Sequence, residues 1–166
     1  MLLGSALVGL LSAESADAKR KPVQRPEPDL RIVAVTASPE PYSPGTGSLD
    51  LAVEVEIPKE LNGATLLEVS SLISSQSKRS MRFLASRQAV NPHPASEPPP
   101  KAKTAADSPP PRIVVKLTWD GTDQTKQLVE HGLYRYEVRA KLLVVGENGP
   151  RTQMVSWPKR GTLEVK

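Results

Sequence analysis

The clearest indication of the fold is the stretch LDLAVEVEI, which runs from Leu49 to Ile57. Large apolar residues occupy every odd position of this stretch, whereas acidic residues and one alanine occupy the even positions. Successive side chains of a β-strand point to opposite faces of the sheet, so this alternation predicts a strand that is buried on one face. Such strands are typical of antiparallel sheets that have one solvated face.

The same pattern recurs along the chain, and proline, glycine and asparagine residues separate the repeats. The predicted strands span residues 30–36, 49–57, 65–73, 81–84, 113–119, 134–144, 153–157 and 162–166. A hairpin turn is predicted at residues 146–149, and no helix is predicted within residues 30–166. This pattern predicts an all-β fold, an immunoglobulin-like antiparallel β-sandwich of seven or eight strands.

Proline is unusually frequent, with 17 residues in a chain of 166. The segment 91–111 reads NPHPASEPPPKAKTAADSPPP and contains no large apolar residue. A segment of this composition has nothing to bury in a core. We therefore predict a long, disordered, proline-rich loop inserted between two strands of one domain, because closing a long loop costs little more than closing a short one.

The first 18 residues have the pattern of a signal peptide. Leu2 to Ala13 is an apolar run of suitable length, and Ala16-Asp17-Ala18 matches an A-x-A cleavage site. The run is too short to cross a bilayer as a mature helix. The sequence therefore predicts export to the periplasm or the extracellular space after cleavage near Ala18, with residues 19–29 as a flexible, basic and proline-rich lead-in.

Composition limits the chemistry that the chain can perform. The chain has no cysteine and two histidines, which excludes disulfides and cysteine-ligated metal sites. Its formal charge of +4 would rise by two on removal of residues 1–18, but most basic residues alternate with acidic ones. This arrangement does not resemble a nucleic-acid-binding surface. We expect no cofactor and no integral membrane span in the mature chain, and the sequence leaves the oligomeric state open.

The segment from Trp119 to Tyr136 reads WDGTDQTKQLVEHGLYRY and carries a family resemblance. It is similar to the FlgD-type immunoglobulin-like module, named for the flagellar hook-capping protein, in which a W-D-G-T-D turn leads into a G-x-Y-x-Y strand. The matching residues here are Trp119, Asp120, Gly121, Thr122, Asp123, Val129, Gly132, Tyr134 and Tyr136. The sequence departs from the pattern at Lys126, where a glycine is common, and at Leu128, Glu130 and His131. The resemblance implies an immunoglobulin-like fold and little about function.

The residue types of this segment have their own physical meaning. Trp119 ends an alternating strand on its apolar face, where its ring can seal a small core. Asp120 and Gly121 favour a turn, since aspartate can accept bonds from its own backbone and glycine tolerates positive φ. Gly132 is expected to begin the next strand, and Tyr134 and Tyr136 share the inner face of that strand.

Several residues are of types that can bind metal ions or ligands or take part in catalysis. Asp120 and Asp123 could seed a calcium site, but the turn lacks the ligand density of a dedicated loop, so turn capping is the favoured interpretation. The pair Glu130 and His131 has no nucleophile nearby, and we interpret His131 as an exposed turn residue. Trp157, which precedes a basic turn, could meet a ligand, although packing on the edge of the sandwich is the favoured interpretation. The sequence therefore predicts no catalytic, cofactor-binding or metal-binding residue.

These observations favour a non-enzymatic immunoglobulin-like module that is exported and acts in binding or structure at the bacterial cell envelope. Its partner would be an envelope protein or polymer that the sequence does not identify. An alternative is an accessory subunit of a secreted flagellar or adhesive assembly. A small hydrolase is a weaker alternative, because it would need paired acids or a nucleophile with its base.

Overall fold

A computed structural model describes residues 28–59, 61, 65–90 and 109–166. These residues form eight strands in two antiparallel sheets. The strands are β1 (Arg31–Ser38), β2 (Leu49–Glu56), β3 (Thr65–Ser75), β4 (Ser80–Val90), β5 (Arg112–Trp119), β6 (Gly132–Gly146), β7 (Gly149–Val155) and β8 (Lys159–Val165). The predicted all-β, immunoglobulin-like sandwich is confirmed.

The first sheet has three strands in the order β1-β2-β5. The apolar residues of the Leu49–Ile57 stretch are all buried, and the even positions lie on the outer face, as the alternation predicts. There the carboxylates of β2 pair with cations of the neighbouring strand. Lys116 Nζ lies 3.1 Å from Asp50 Oδ2, and Arg112 Nη1 lies 3.0 Å from Glu54 Oε1.

The second sheet has five strands and is organised around β6, which is 15 residues long. On one side β6 pairs with β3, which in turn pairs with the edge strand β4. On the other side β7 pairs with the second half of β6, and β8 pairs with its first half. Ser156 joins β7 to β8, because its hydroxyl accepts a bond from the amide of Ala140 at 2.9 Å. β7 and β8 therefore act as one interrupted edge strand.

Seven of the eight strands are longer in the structure than the sequence predicts, and β4 and β8 are two of them. β4 covers 11 residues, whereas the sequence predicts a strand only at 81–84. Many of its exposed and half-buried positions are polar, so its sequence shows no clear alternation of apolar and polar residues. β8 begins at Lys159, so Gly161, which precedes the predicted strand 162–166, lies within a strand. The ring of Tyr136 occupies the space that a side chain at Gly161 would take, which explains why a glycine fits there.

The chain crosses between the sheets after β1. Tyr42 forms a parallel bridge with Val165 of β8. The amide of Tyr42 donates to the carbonyl of Glu164 at 2.8 Å, and the amide of Lys166 donates to the carbonyl of Tyr42 at 2.8 Å. The crossing segment thus covers part of the outer edge of β8 and holds the two sheets together.

Three sequence predictions concern residues outside the described ranges, wholly or in large part. These are the signal peptide at 1–18, most of the lead-in at 19–29, and residues 91–108 of the proline-rich insertion. At the end of that insertion, Pro111 accepts a bond from the amide of Ile57 at 3.0 Å. Within the described ranges, no helix has the length and apolar character needed to span a membrane.

In the described part of the core, one buried polar side chain has no hydrogen-bond partner. Ser71 lies on the inner face of β3, fully buried between Val69 and Ile73. Its hydroxyl has no hydrogen-bond partner among the described residues. Leaving a buried hydroxyl unpaired costs free energy, so this position reduces the stability of the fold.

We predict that Ser71→Ala leaves the free energy of unfolding unchanged or raises it by up to about 1 kcal/mol, because an unpaired hydroxyl is removed. The matched control is Ser156→Ala, where a buried serine does bond the backbone; its loss should cost about 1–3 kcal/mol, since the amide of Ala140 is left unpaired. Urea denaturation followed by circular dichroism measures both. A clear loss of stability in Ser71→Ala would contradict this account of the core.

Candidate functional site

Three aromatic rings meet at one end of the sandwich. Trp119, at the end of β5, is fully buried. Its ring centroid lies 5.6 Å from that of Tyr42 and 6.0 Å from that of Tyr134, with tilted planes. Such tilted arrangements are favourable for aromatic pairs. The crossing segment, β5 and β6 are therefore packed against one another at this cluster.

The turn after β5 satisfies the polar edge of the indole. Trp119 donates from Nε1 to the carbonyl of Thr122 at 2.8 Å. A buried tryptophan usually needs such a partner for its N–H. The W-D-G-T part of the motif thus lets the chain bury its largest side chain without an unpaired donor.

The two aspartates of the motif cap the turn. Asp120 Oδ1 accepts from the amide of Thr122 at 3.0 Å and from its hydroxyl at 2.7 Å. Asp123 Oδ1 accepts from the amide of Thr125 at 2.8 Å, from its hydroxyl at 2.7 Å, and from the amide of Gln127 at 3.1 Å. Each carboxylate uses one oxygen for several local donors, which is the geometry of an Asx turn.

These bonds favour the ionised carboxylates. The hydroxyl and then the amide of Thr122 lower the pKa of Asp120 below its ordinary value, and the nearby Arg82 adds to the effect. The hydroxyl of Thr125 and the amide of Gln127 lower the pKa of Asp123. A depressed pKa in the folded state means that both groups stabilise the fold above the ordinary pKa of aspartate. This contribution is lost as the pH falls through the folded-state value.

Arg82 of β4 links this turn to the other sheet. Its Nη1 donates to the carbonyl of Asp123 at 3.0 Å, and its Nη2 lies 3.9 Å from Asp120 Oδ2. The sequence did not single out Arg82, because the polar strand that carries it lacks clear alternation. Tyr42 has no local sequence signal for a related reason, since it lies among the prolines that separate two predicted strands.

Gly121 is required at its position for two reasons. Its φ is +74°, in the left-handed region that favours glycine. A Cβ atom there would also lie 2.6 Å from the hydroxyl oxygen of Tyr42. The hydroxyl of Tyr42 is held in place by a bond to the carbonyl of Gly47 at 2.9 Å.

Tyr134 makes a bond that is characteristic of immunoglobulin-like sandwiches. Its hydroxyl donates to the carbonyl of Glu130, four residues upstream, at 2.8 Å. This is the arrangement known as a tyrosine corner, which fixes the approach to the strand. Burial raises the pKa of Tyr134, which keeps the hydroxyl in its donating form. Gly132, with a φ of +152°, begins β6 just before this corner.

The structure does not bring all motif residues together. Trp119, Asp120, Gly121, Asp123 and Tyr134 share the aromatic end of the sandwich. Tyr136 lies apart from the ring cluster, over Gly161 of β8. Its pKa is raised mainly by burial, and the negative charge of Glu40 adds to the effect.

Other candidate groups have structural surroundings. His131 is exposed, and the carbonyl of its neighbour Glu130 accepts the bond of the tyrosine corner. Among the described residues, no three histidine, aspartate or glutamate side chains are grouped so as to hold a metal ion. Trp157, between β7 and β8, is 54% exposed, in contrast to the packed position that the sequence favoured.

The exposed apolar side chains concentrate on one sheet. Eight large hydrophobic residues are exposed in the described part of the chain, and six of them belong to the five-stranded sheet or to the link between β7 and β8. These six are Leu72, Phe83, Leu133, Val145, Val155 and Trp157. Phe83 and Leu72 are directly paired across β4 and β3.

Basic residues accompany these apolar side chains on the outer face of the five-stranded sheet. An open groove of about 660 Å³ is lined there by Leu72, Lys78, Arg135 and Arg160, among others. Glu137 accepts bonds from both Arg160 and Arg139 at 2.7 Å. These bonds lower the pKa of Glu137, and the bond from Arg160 has the larger effect. Glu68 lies between Arg87 and Lys141, which lower its pKa in the same way.

Comparison with known proteins shows a structural likeness and no match at the level of sequence. No protein-family model matches the chain, and no curated protein matches it. Among solved structures, a β-glucuronidase from glycoside hydrolase family 2 is similar, with a TM-score of 0.38 and 17% sequence identity. The match covers 84% of this chain and 13% of that protein.

We predict that Trp119→Ala lowers the free energy of unfolding by about 3–5 kcal/mol, because a large buried ring is removed. The matched control is Trp157→Ala, which removes the exposed tryptophan and should change stability by less than about 1 kcal/mol. Denaturation monitored by circular dichroism measures both, since each change also removes a fluorophore. Near-native stability of Trp119→Ala would contradict the central role of the ring cluster.

We also predict that Gly121→Ala is more destabilising than Gly45→Ala by at least about 1 kcal/mol. Both glycines have positive φ, so both variants carry the backbone cost of about 1–2 kcal/mol, but only at Gly121 would the new methyl group meet Tyr42. Tyr42→Phe removes the closest atom of that contact and should partly restore the stability of Gly121→Ala. Equal losses at the two glycines would show that the contact with Tyr42 is unimportant.

Proposed function

We propose that this protein is an exported, non-enzymatic immunoglobulin-like module that acts by binding at the bacterial cell envelope. We further propose that the outer face of its five-stranded sheet makes the contact. Immunoglobulin-like folds serve many functions, so the proposal depends on the surface and not on the fold.

The observation that carries the proposal is the unequal distribution of exposed apolar side chains. Phe83 is 60% exposed and stands beside Leu72, which is 37% exposed. Contiguous exposed apolar surface on a soluble domain often marks an interaction site. The outer face of the three-stranded sheet presents Val114 as its one large exposed apolar side chain in the described residues.

The charges of this face favour a partner that carries anionic groups. Arg135 and Lys78 line the groove beside Leu72, and neither forms an ion pair with another described residue. Arg160 pairs with Glu137, but its side chain is still 71% exposed. Arginine next to apolar and aromatic side chains is common in binding surfaces. Envelope polymers and many envelope proteins are anionic, which suits such a surface.

Two further features support the proposal. The apolar run and the A-x-A pattern in residues 1–18 favour export. The resemblance to the FlgD-type module is supported by Lys126, which has a φ of +63° at the position where that module commonly has a glycine. A left-handed residue at this point is what the motif pattern implies.

The test is binding of the purified chain to envelopes isolated from the producing bacterium. We expect Leu72→Asp to weaken sedimentation with the envelopes at least tenfold, because it places a carboxylate in the middle of the apolar and basic face. The matched control is Val114→Asp, which makes the same kind of change on the other sheet and should bind like the wild type.

The same experiment has clear contrary outcomes. Equal binding by both variants would contradict the choice of face, and absence of envelope binding by the wild type would contradict a binding role there. N-terminal sequencing of the protein from cell fractions tests export separately, and an uncleaved chain in the cytoplasm would overturn it.

A further inference from the structure

β4 is an edge strand whose side away from β3 is not paired with any other strand in the described part of the chain. It stands at the end of the five-stranded sheet. It is also the longest edge strand, with 11 residues. An open edge presents unpaired N–H and C=O groups in a row and can accept a further strand.

The other edges on the opposite side of the sandwich are modified. β1 has an irregularity at Val33, whose carbonyl accepts a bond from Lys159. β7 contains Pro150 and a register shift near Gln153. The outer edge of β8 is bridged by Tyr42. Bulges, prolines and covering segments are the usual means by which edges avoid pairing.

We propose that β4 pairs antiparallel with β4 of a second copy of this chain, so that the five-stranded sheets of two molecules become continuous. A two-fold axis between identical antiparallel strands must pass between two copies of one residue. We assign that residue as Ala85. This register pairs Arg82 with Gln88, Phe83 with Arg87, and Leu84 with Ser86 across the interface.

The register follows from the side chains on the outer face of β4. These are Phe83, Ala85, Arg87 and Ala89, all exposed. Centring the axis on Ala85 sets Phe83 against Arg87 twice, once on each side of the axis. An arginine over the face of a phenylalanine is a favourable cation–π contact, and its aliphatic stem can cover apolar surface.

Neighbouring registers are less suitable. A centre at Arg87 would oppose two arginines, and a centre at Arg82 would do the same. A centre at Ser86 would leave Arg87 opposite Ala85. Further slippage toward the start of the strand meets the register shift at Met81, where the regular pairing of β4 with β3 ends.

Arg87 is already oriented by its own domain. Its Nε bonds Glu68, yet the side chain remains 60% exposed. Its charge is therefore partly neutralised, which lowers the repulsion that a second basic strand would otherwise experience.

β5, the other open edge, lacks this complementarity. Two symmetric registers would pair almost all of β5 with β5 of a second copy. One places Lys116 opposite Val114, and the other places Lys116 opposite a second Lys116. Neither arrangement pairs a cation with an aromatic ring, and the second opposes like charges. The self-complementary edge is therefore β4.

Single-cysteine cross-linking tests the register, since the chain contains no cysteine of its own. In the full chain, Ala85→Cys should form a disulfide-linked dimer under mild oxidation, because directly opposed residues in antiparallel strands have Cα atoms about 4.5–5.5 Å apart. The matched control is Ala89→Cys, on the same strand and face. Its two copies would be about 27 Å apart, at roughly 3.4 Å per residue, and should not cross-link.

A charge test distinguishes this register from general apolar association. Sedimentation velocity of the full chain at micromolar concentration should give a reversible dimer. Phe83→Lys should raise the dimer dissociation constant at least tenfold, because lysine would face Arg87 of the second copy. Phe83→Glu should retain the dimer, because glutamate would face the same arginine with opposite charge.

Circular dichroism and the melting temperature establish that each variant is folded, which is expected because Phe83 is exposed. A wild-type chain that stays monomeric at all concentrations tested would overturn the proposal. Equal cross-linking by Ala89→Cys, or equal loss of dimer by the two Phe83 variants, would overturn the register. None of these results bears on envelope binding, which is tested through Leu72.

Discussion

The burial of the Trp119 ring between Tyr42 and Tyr134 is the contact on which the arrangement of the sandwich depends. The three residues come from the end of β5, the crossing segment and the start of β6, and so from both sheets. Their polar atoms are bonded to backbone carbonyls of Thr122, Gly47 and Glu130. A cluster that buries large rings and satisfies each polar group both stabilises one end of the domain and fixes the paths of three loops. The W-D-G-T-D segment is therefore best understood as the structure that makes this burial possible, with the aspartates shaping the turn and Arg82 fastening it to the other sheet.

The two sheets use their charges differently. On the three-stranded sheet, the carboxylates of β2 form ion pairs with diagonal neighbours on β5, Lys116 with Asp50 and Arg112 with Glu54, so the charges of that face are largely paired within it. On the five-stranded sheet, Glu68 and Glu137 each serve two basic partners, and Arg135 and Lys78 lie beside apolar side chains. A face with surplus basic groups and exposed apolar area can gain more by contact with an anionic, partly apolar partner than a face whose charges are already paired. This difference is why the proposed contact lies on the second sheet.

Strand alternation predicted the fold because it reports burial on one face, and β2, β5 and β6 are buried in that way. It predicted β4 poorly, since an edge strand is partly exposed on both faces and its serines, arginines and glutamine carry no clear period. The turn chemistry of Asp120 and Gly121 was visible in the sequence because it depends on residues close together in the chain. The positions of Tyr42 and Arg82 depend on partners about 120 and 40 residues away, Val165 and Asp123, and no local pattern records such pairings. Trp157 was expected to pack and is exposed, because Ser156 takes the buried position at the joint between β7 and β8.

The treatment of the sheet edges determines what kind of assembly this chain can form. On the side where β1 and β8 meet, a bulge, a bridging lysine and the Tyr42 crossing occupy the edge groups, so strand addition there would require these contacts to break. On the opposite side, β4 keeps a long edge with a self-complementary outer face. An isologous contact uses the same surface on both partners, so pairing through β4 consumes that edge in each copy and stops at two molecules. A heterologous contact between unlike edges would instead continue into a filament. A protein with one self-complementary edge therefore forms a defined dimer and avoids the open-ended association to which exposed strands are otherwise prone. The dimer carries two basic and apolar faces on one continuous sheet.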